Sequence, residues 1–177
     1  MPHIRLTKID AIRAQLDAAI ELFFTSDNAV ATHTLAAAAY NALKDIAKRE
    51  GAEHPFIKTE YLQSLPAEER GRMHKLLHEP ENFFKHADRD PTGEILFNPE
   101  LTELLLIDAC AYFSSGEIQR PKHYGALIVW TGKTKGSIPE DSELRIFVDT
   151  VMEALKSNGK REFWVMFSQY LSSHHDA

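Results

Sequence analysis

A chain of 177 residues has the length of one domain, and its 44% apolar and 26% charged residues exclude collagen-like, low-complexity and wholly disordered chains. The net charge of −6 argues against broad binding of duplex DNA, which needs an extended positive surface. A single cysteine, Cys110, leaves no internal disulfide and points to a reducing, cytoplasmic compartment, and no apolar run approaches the roughly 18 residues of a membrane span.

The first predicted element is a helix from about Lys8 to Phe24. Ile9, Ile12, Leu16, Ala19, Ile20 and Phe23 recur at spacings of three and four on one stripe, with Arg13, Asp17 and Glu21 opposite. Thr25-Ser26-Asp27-Asn28 supplies a turn and an N-cap for the next helix. That helix, about Ala29 to Glu50 with Gly51 as its stop, carries Ala31, Leu35, Ala38, Ala42 and Ile46 on one face. Ala36, Ala37 and Tyr40 spread the apolar surface around it. A helix apolar over most of its girth belongs at the centre of a bundle, and four consecutive alanines, Ala36 to Ala39, let neighbours approach closely.

From Ala52 to Asp90, Pro55, Pro66 and Pro80 divide the chain. Short helices are expected near Thr59–Leu65, Pro66–His78 and Glu81–His86, because proline suits a first helical turn. Asp90-Pro91-Thr92-Gly93 reads as a turn and Glu94–Phe97 as a brief extended segment. A helix follows with Asn98 as N-cap and Pro99 at its first position. Its stripe is Leu101, Leu104, Leu105, Asp108, Ala111 and Tyr112, which sets Asp108 on an otherwise apolar side.

Gly125–Trp130 suits a buried strand or a buried helix, and helix is favoured because no other segment offers a partner strand. Thr131–Ser137 is expected as a loop. A helix from Pro139 to about Ser157 should face Leu144, Phe147, Val148, Val151, Met152 and Leu155 inward, ending on Asn158-Gly159 in a left-handed cap. The last helix, Arg161 to Leu171, carries Trp164, Val165, Phe167 and Leu171, and residues 173–177 form a loose tail. The expectation is an all-α single domain over residues 1–172, a bundle of six to eight helices around the alanine-rich one.

Several groups of polar residues offer chemistry. His74 and His78 stand one helical turn apart, and His86, Asp88 and Asp90 follow closely, so a divalent metal bound by this set is one reading. Asp88, Asp90, Thr92 and the Glu94 carbonyl resemble the opening of an EF-hand calcium loop, although Pro99 stands where the closing glutamate belongs. His33, one turn into the alanine-rich helix, and Tyr40, seven residues on, could share a pocket floored by small alanines. Arg120, Lys122, Lys133 and Lys135 fall in a stretch without acidic residues and form a candidate basic patch.

The helical pair that runs through Ala14, Leu16, Ala18-Ala19 and Leu22, an Asp27 turn, then His33, Ala36 and on to Leu43 resembles the opening of HEPN domains, small and often dimeric helical bundles. Some of that family are metal-independent ribonucleases or nucleotide-binding partners. Their active members carry an arginine and, a few residues on, a histidine, a spacing that Arg72 and His78 meet. The resemblance implies His78 as general base on a ribose hydroxyl and Arg72 as stabiliser of the phosphorane charge. Three functions follow: a binding or interaction module, self-associating or engaging a protein or RNA partner; a HEPN-like ribonuclease or nucleotide-binding protein; and a metal protein built on His74–Asp90.

Overall fold

The computed structural model describes residues 3–52, 54, 56–86, 88–113, 118–135, 149–150, 153 and 159–174. The fold is all-α, with no strand among the described residues. Helix α1 (Lys8–Thr25) starts on a capping box. The Thr7 side chain accepts from the Asp10 N–H, and the Asp10 carboxylate accepts from the Thr7 N–H. Helix α2 (Ala29–Glu50) begins as expected, the Asn28 side chain accepting from the Ala31 N–H at 3.0 Å. It ends on Gly51, whose φ of 67° is the left-handed conformation that a side chain would strain.

Helix α2 is central, packed against α1 and two later helices. Its buried face is rotated from the expected one. Thr32, His33, Ala36, Ala37, Ala39, Tyr40, Leu43 and Ala47 are buried, whereas Ala31, Leu35, Ala38, Ala42 and Ile46 are half-buried. The cause is a polar seam: His33 and Tyr40 have buried partners on other helices, so their face turns inward.

After Gly51 a π-helical turn, Ile57–Tyr61, runs into Leu62–Ser64, together α3. The next region corrects the sequence expectation. Helix α4 runs unbroken from Ala67 to Lys85 with Pro80 in its interior. Proline removes the N–H that would bond the Leu76 carbonyl. The helix persists because Leu77, Pro80 and Glu81 are all buried, so tertiary contacts on both sides of the defect hold its axis. A small cluster of Leu62, Leu77 and Leu101 seats α3 and α4 on the start of α5 (Glu100–Tyr112). Asn98 caps α5 by accepting from the Glu100 N–H at 3.0 Å. Helix α5 is buried almost all round, with Asp108 enclosed and Ala111 exposed.

Helix α6 (Tyr124–Lys135) decides the ambiguity at Gly125–Trp130 in favour of helix, and extends through Thr131–Lys135, where a loop was expected. Residues 136–137 and nearly all of the expected Pro139–Ser157 helix lie outside the described residues. Gly159 is not left-handed. Its carbonyl accepts from the Phe163 N–H at 2.9 Å and so opens the last helix, α7 (Lys160–His174), which reaches into the expected tail. The inward stripe of α7 is Phe163 and Phe167, while Val165 and Leu171 are exposed. The main core joins Ile12, Leu16, Ile20 and Phe24 of α1, Leu43 of α2, Leu105 and Leu106 of α5, Leu127 of α6 and Phe163 of α7. Helix α4 lies outside that core, and its outer face is open.

Candidate functional site

Three buried polar groupings tie α2 to its neighbours. The first is His33, whose Nδ1 lies 3.0 Å from the Thr102 hydroxyl of α5, with its ring edge-on to Phe84 and Phe97. Its Nε2 has no hydrogen-bond partner. Burial, aided by the positive charge of Lys58, lowers its pKa to about 4, so the ring is neutral at pH 7. His33 is thus a core histidine and borders neither of the cavities described below.

The second grouping centres on Asp108. Its Oδ2 accepts from the Tyr40 hydroxyl at 2.5 Å and from the Ile57 N–H at 2.8 Å, and its Oδ1 lies 3.3 Å from His54 Nε2. The Tyr40 hydroxyl in turn accepts from the Lys58 N–H at 3.2 Å. Burial and the Asp108 carboxylate push the Tyr40 pKa upward, so the phenol stays protonated. Tyr40 therefore fastens the start of α3 to α2 and α5. It does not share a pocket with His33.

The third grouping reaches the surface. The Glu81 carboxylate of α4, 6% exposed, receives Asn41 Nδ2 at 2.7 Å on Oε2 and His78 Nδ1 at 2.7 Å on Oε1. The Lys58 ammonium, wholly buried, stands 3.1 Å from Oε2 without good hydrogen-bond alignment. Burial by itself would raise the pKa of Glu81. The His78 bond, the Lys58 charge and the Asn41 bond outweigh it and hold the carboxyl down at about 2. Burial lowers the Lys58 pKa, partly offset by Glu81.

His78 also borders a groove of about 410 Å³ on the outer face of α4. His74, His78, Asn82 and His86 follow one another at intervals of four and line it as a ladder, the first two rings 4.3 Å apart. Lys75 and Glu79, an exposed pair at 3.8 Å, flank the ladder. Phe83, 37% exposed, forms an aromatic wall, and Arg89 and Asp90 close the end. Three imidazoles, a lysine and an arginine thus face two carboxylates, one of them already engaged.

The structure brings His74, His78, His86 and Asp90 into one groove, while Asp88, exposed and 3.8 Å from His86, and Arg72, also exposed, do not border it. Among the described residues no three His, Cys, Asp or Glu side chains converge as a metal ion requires. The Asp90 carboxyl lies over Gly93, in the space a Cβ would fill, and the Gly93 N–H donates to the Asp90 carbonyl at 3.3 Å, so Asp90–Gly93 is a turn. Of the candidate basic patch, Arg120 and Lys122 have described side chains. Arg120 turns back onto the Phe113 carbonyl and the Tyr124 ring, Lys122 stands exposed, and the side chains of Lys133 and Lys135 lie outside the described residues. Cys110 is buried, and burial pushes its thiol pKa up to about 12, which leaves it inert.

A second cavity of about 410 Å³ opens where the α1–α2 turn meets the starts of α5 and α7. Phe23 and Phe24 form part of it, with Asp27, Glu103 and Lys160 around them.

Comparison with known families, curated proteins and solved structures finds no match. No described helix is long and apolar enough to cross a membrane.

Asn41, Lys58, Asn82 and Arg89 escaped the sequence reading. For Asn82 and Arg89 a signal existed: the interval of four extends His74–His78 to Asn82 and His86, and Arg89 lies between the two singled-out aspartates. For the pairing of Lys58 with Glu81 there was none, since they lie far apart in sequence and meet only through folding.

Proposed function

We propose that this protein is a ligand-binding helical module whose working site is the groove on α4, and that the ligand carries an oxyanion such as a phosphate. The observation that carries the reading is the convergence of the His74–His78–Asn82–His86 ladder with Lys75 and Arg89 on one concave surface. Its volume lies within the roughly 300–1,000 Å³ usual for small-molecule sites. Donors on imidazole, amide, ammonium and guanidinium groups are what a phosphate's oxygens require. The test is a titration with inorganic pyrophosphate followed by NMR. Saturable shifts of the His74, His78 and His86 side chains and of Arg89 Nε are expected, weakened about ten-fold or more in Arg89→Ala. No saturable shift at these residues overturns the reading.

One observation favours a second reading, the metal-independent ribonuclease. His78 Nδ1 is held by an acceptor, the geometry that frees Nε2 to act as a base. Arg72 does not border the groove, so this reading calls for Arg72 of a second copy, or Arg89, opposite His78. Cleavage of RNA by the wild type and its loss in His78→Ala would support it, whereas equal or absent cleavage refutes it. Self-association, an RNA or protein partner and a cytoplasmic location are part of the same proposal.

A further inference from the structure

The groove contains one element that an oxyanion alone does not need. Glu81, seated beneath it, is fixed by Asn41 and Lys58 on one oxygen and meets His78 on the other. An ionised carboxylate only accepts hydrogen bonds, so the hydrogen of that contact belongs to His78 Nδ1. In the neutral ring, Nε2 then offers a lone pair to the groove. Around it stand donors: the Asn82 amide, the Lys75 ammonium and the Arg89 guanidinium. Glu79 stands 3.8 Å from Lys75 and Asp90 lies at the end of the groove, so carboxylates are present too, but His78 is the acceptor whose hydrogen-bonding direction the buried Glu81 fixes. A fixed acceptor among donors suits a ligand that pairs a hydroxyl with its phosphate.

We infer that the ligand is a hydroxyl-bearing phosphate ester, a sugar phosphate. Its hydroxyl donates to His78 Nε2 and its phosphate is held by Arg89 and the remaining donors. Glu81 and the buried Lys58 act as positioning residues that set the His78 tautomer without touching the ligand. This inference rests on the groove reading above, and it adds both the ligand class and two residues outside the groove. Helix α4 makes the device rigid, because Glu81 is anchored to α2 through Asn41 and to α3 through Lys58, so His78 cannot turn independently of the bundle.

The experiment has two parts. Long-range 1H–15N correlation spectra of the wild type should place the His78 hydrogen on Nδ1, with a pyridine-type Nε2. Titrations should then give ribose 5-phosphate an affinity about ten-fold above that of methyl phosphate, which has no hydroxyl, the worth of one added hydrogen bond. In Lys58→Met and Glu81→Gln the preference should fall to about two-fold or less while methyl phosphate binds as before, and Lys58→Arg should retain it. If neither phosphate shifts the groove, the groove reading itself has failed. If both bind equally, or the His78 hydrogen sits on Nε2, the sugar-phosphate inference is overturned and the groove reading stands. Should the buried-pair variants fail to fold, the wild-type tautomer and the two wild-type affinities decide the matter alone.

Discussion

His33 gives the sharpest test of how this core is built. Its side chain is buried, bonded only to Thr102 on Nδ1, and its pKa is lowered by burial and by Lys58 to about 4, against 6.5 in an open chain. A histidine with a depressed folded-state value stabilises the fold fully above 6.5, and that contribution is lost as pH falls toward 4. The unfolded chain takes up a proton that the folded chain refuses. Linkage puts the loss at about 0.8 kcal/mol by pH 6 and about 2 kcal/mol by pH 5, approaching about 3 kcal/mol near pH 4. The perturbation is His33→Gln, which cannot titrate. Urea unfolding of both proteins should be measured at pH 7.5, 6 and 5, and the quantity to follow is the difference between them at each pH. Other titrating groups, Glu81 among them, act on both proteins and largely cancel. The wild type should lose about 2 kcal/mol relative to the variant between pH 7.5 and pH 5. Parallel stability curves, or an NMR titration placing His33 above pH 6, would refute the account of a neutral, enclosed imidazole.

Four further outcomes follow from the same packing. Lys58→Met or Glu81→Leu alone strands a buried charge and should cost about 3–5 kcal/mol in chemical unfolding, while the double variant recovers most of it; equal costs for single and double changes would contradict the pairing. Tyr40→Phe removes a donor from Asp108 and an acceptor from the Lys58 N–H, at about 1.5–3 kcal/mol in the same assay. Thr7→Ala breaks the capping box of α1 and should cost about 1 kcal/mol. Gly51→Ala meets no neighbouring atom, so its cost, about 1 kcal/mol from the left-handed backbone alone, should appear in stability and leave ligand binding at α4 unchanged.

Much of the candidate site could be read directly. His74, His78, His86 and Asp90 drew notice because ligating residues crowd that stretch, and the structure sets them along one groove. The interval of four that joins His74 and His78 is a property of the helix itself, so local sequence suffices for them, whereas His86 and Asp90 lie past the end of α4 and join through the turn that follows. Arg72 shows the limit of spacing as a signal. Six residues from His78, it lies about 120° around the helix and does not border the groove. Pro80 shows the limit of propensity. Its cost to an isolated helix is real, yet α4 continues through it because Leu77 and Glu81 are buried to either side.

The sequence by itself determined that this chain is helical, that its first two helices stop and start at Thr25–Ala29 and Gly51, and that the alanine-rich segment lies at the centre. Those features depend on neighbours a few residues apart, through periodicity, capping and the conformational freedom of glycine. Tertiary structure alone decided which face of α2 turned inward, that α4 stayed whole, and that His78 stands on Glu81 above Lys58. Each of these depends on partners brought together from distant parts of the chain, where a buried hydrogen bond or charge outweighs local preference and leaves no periodic trace to read.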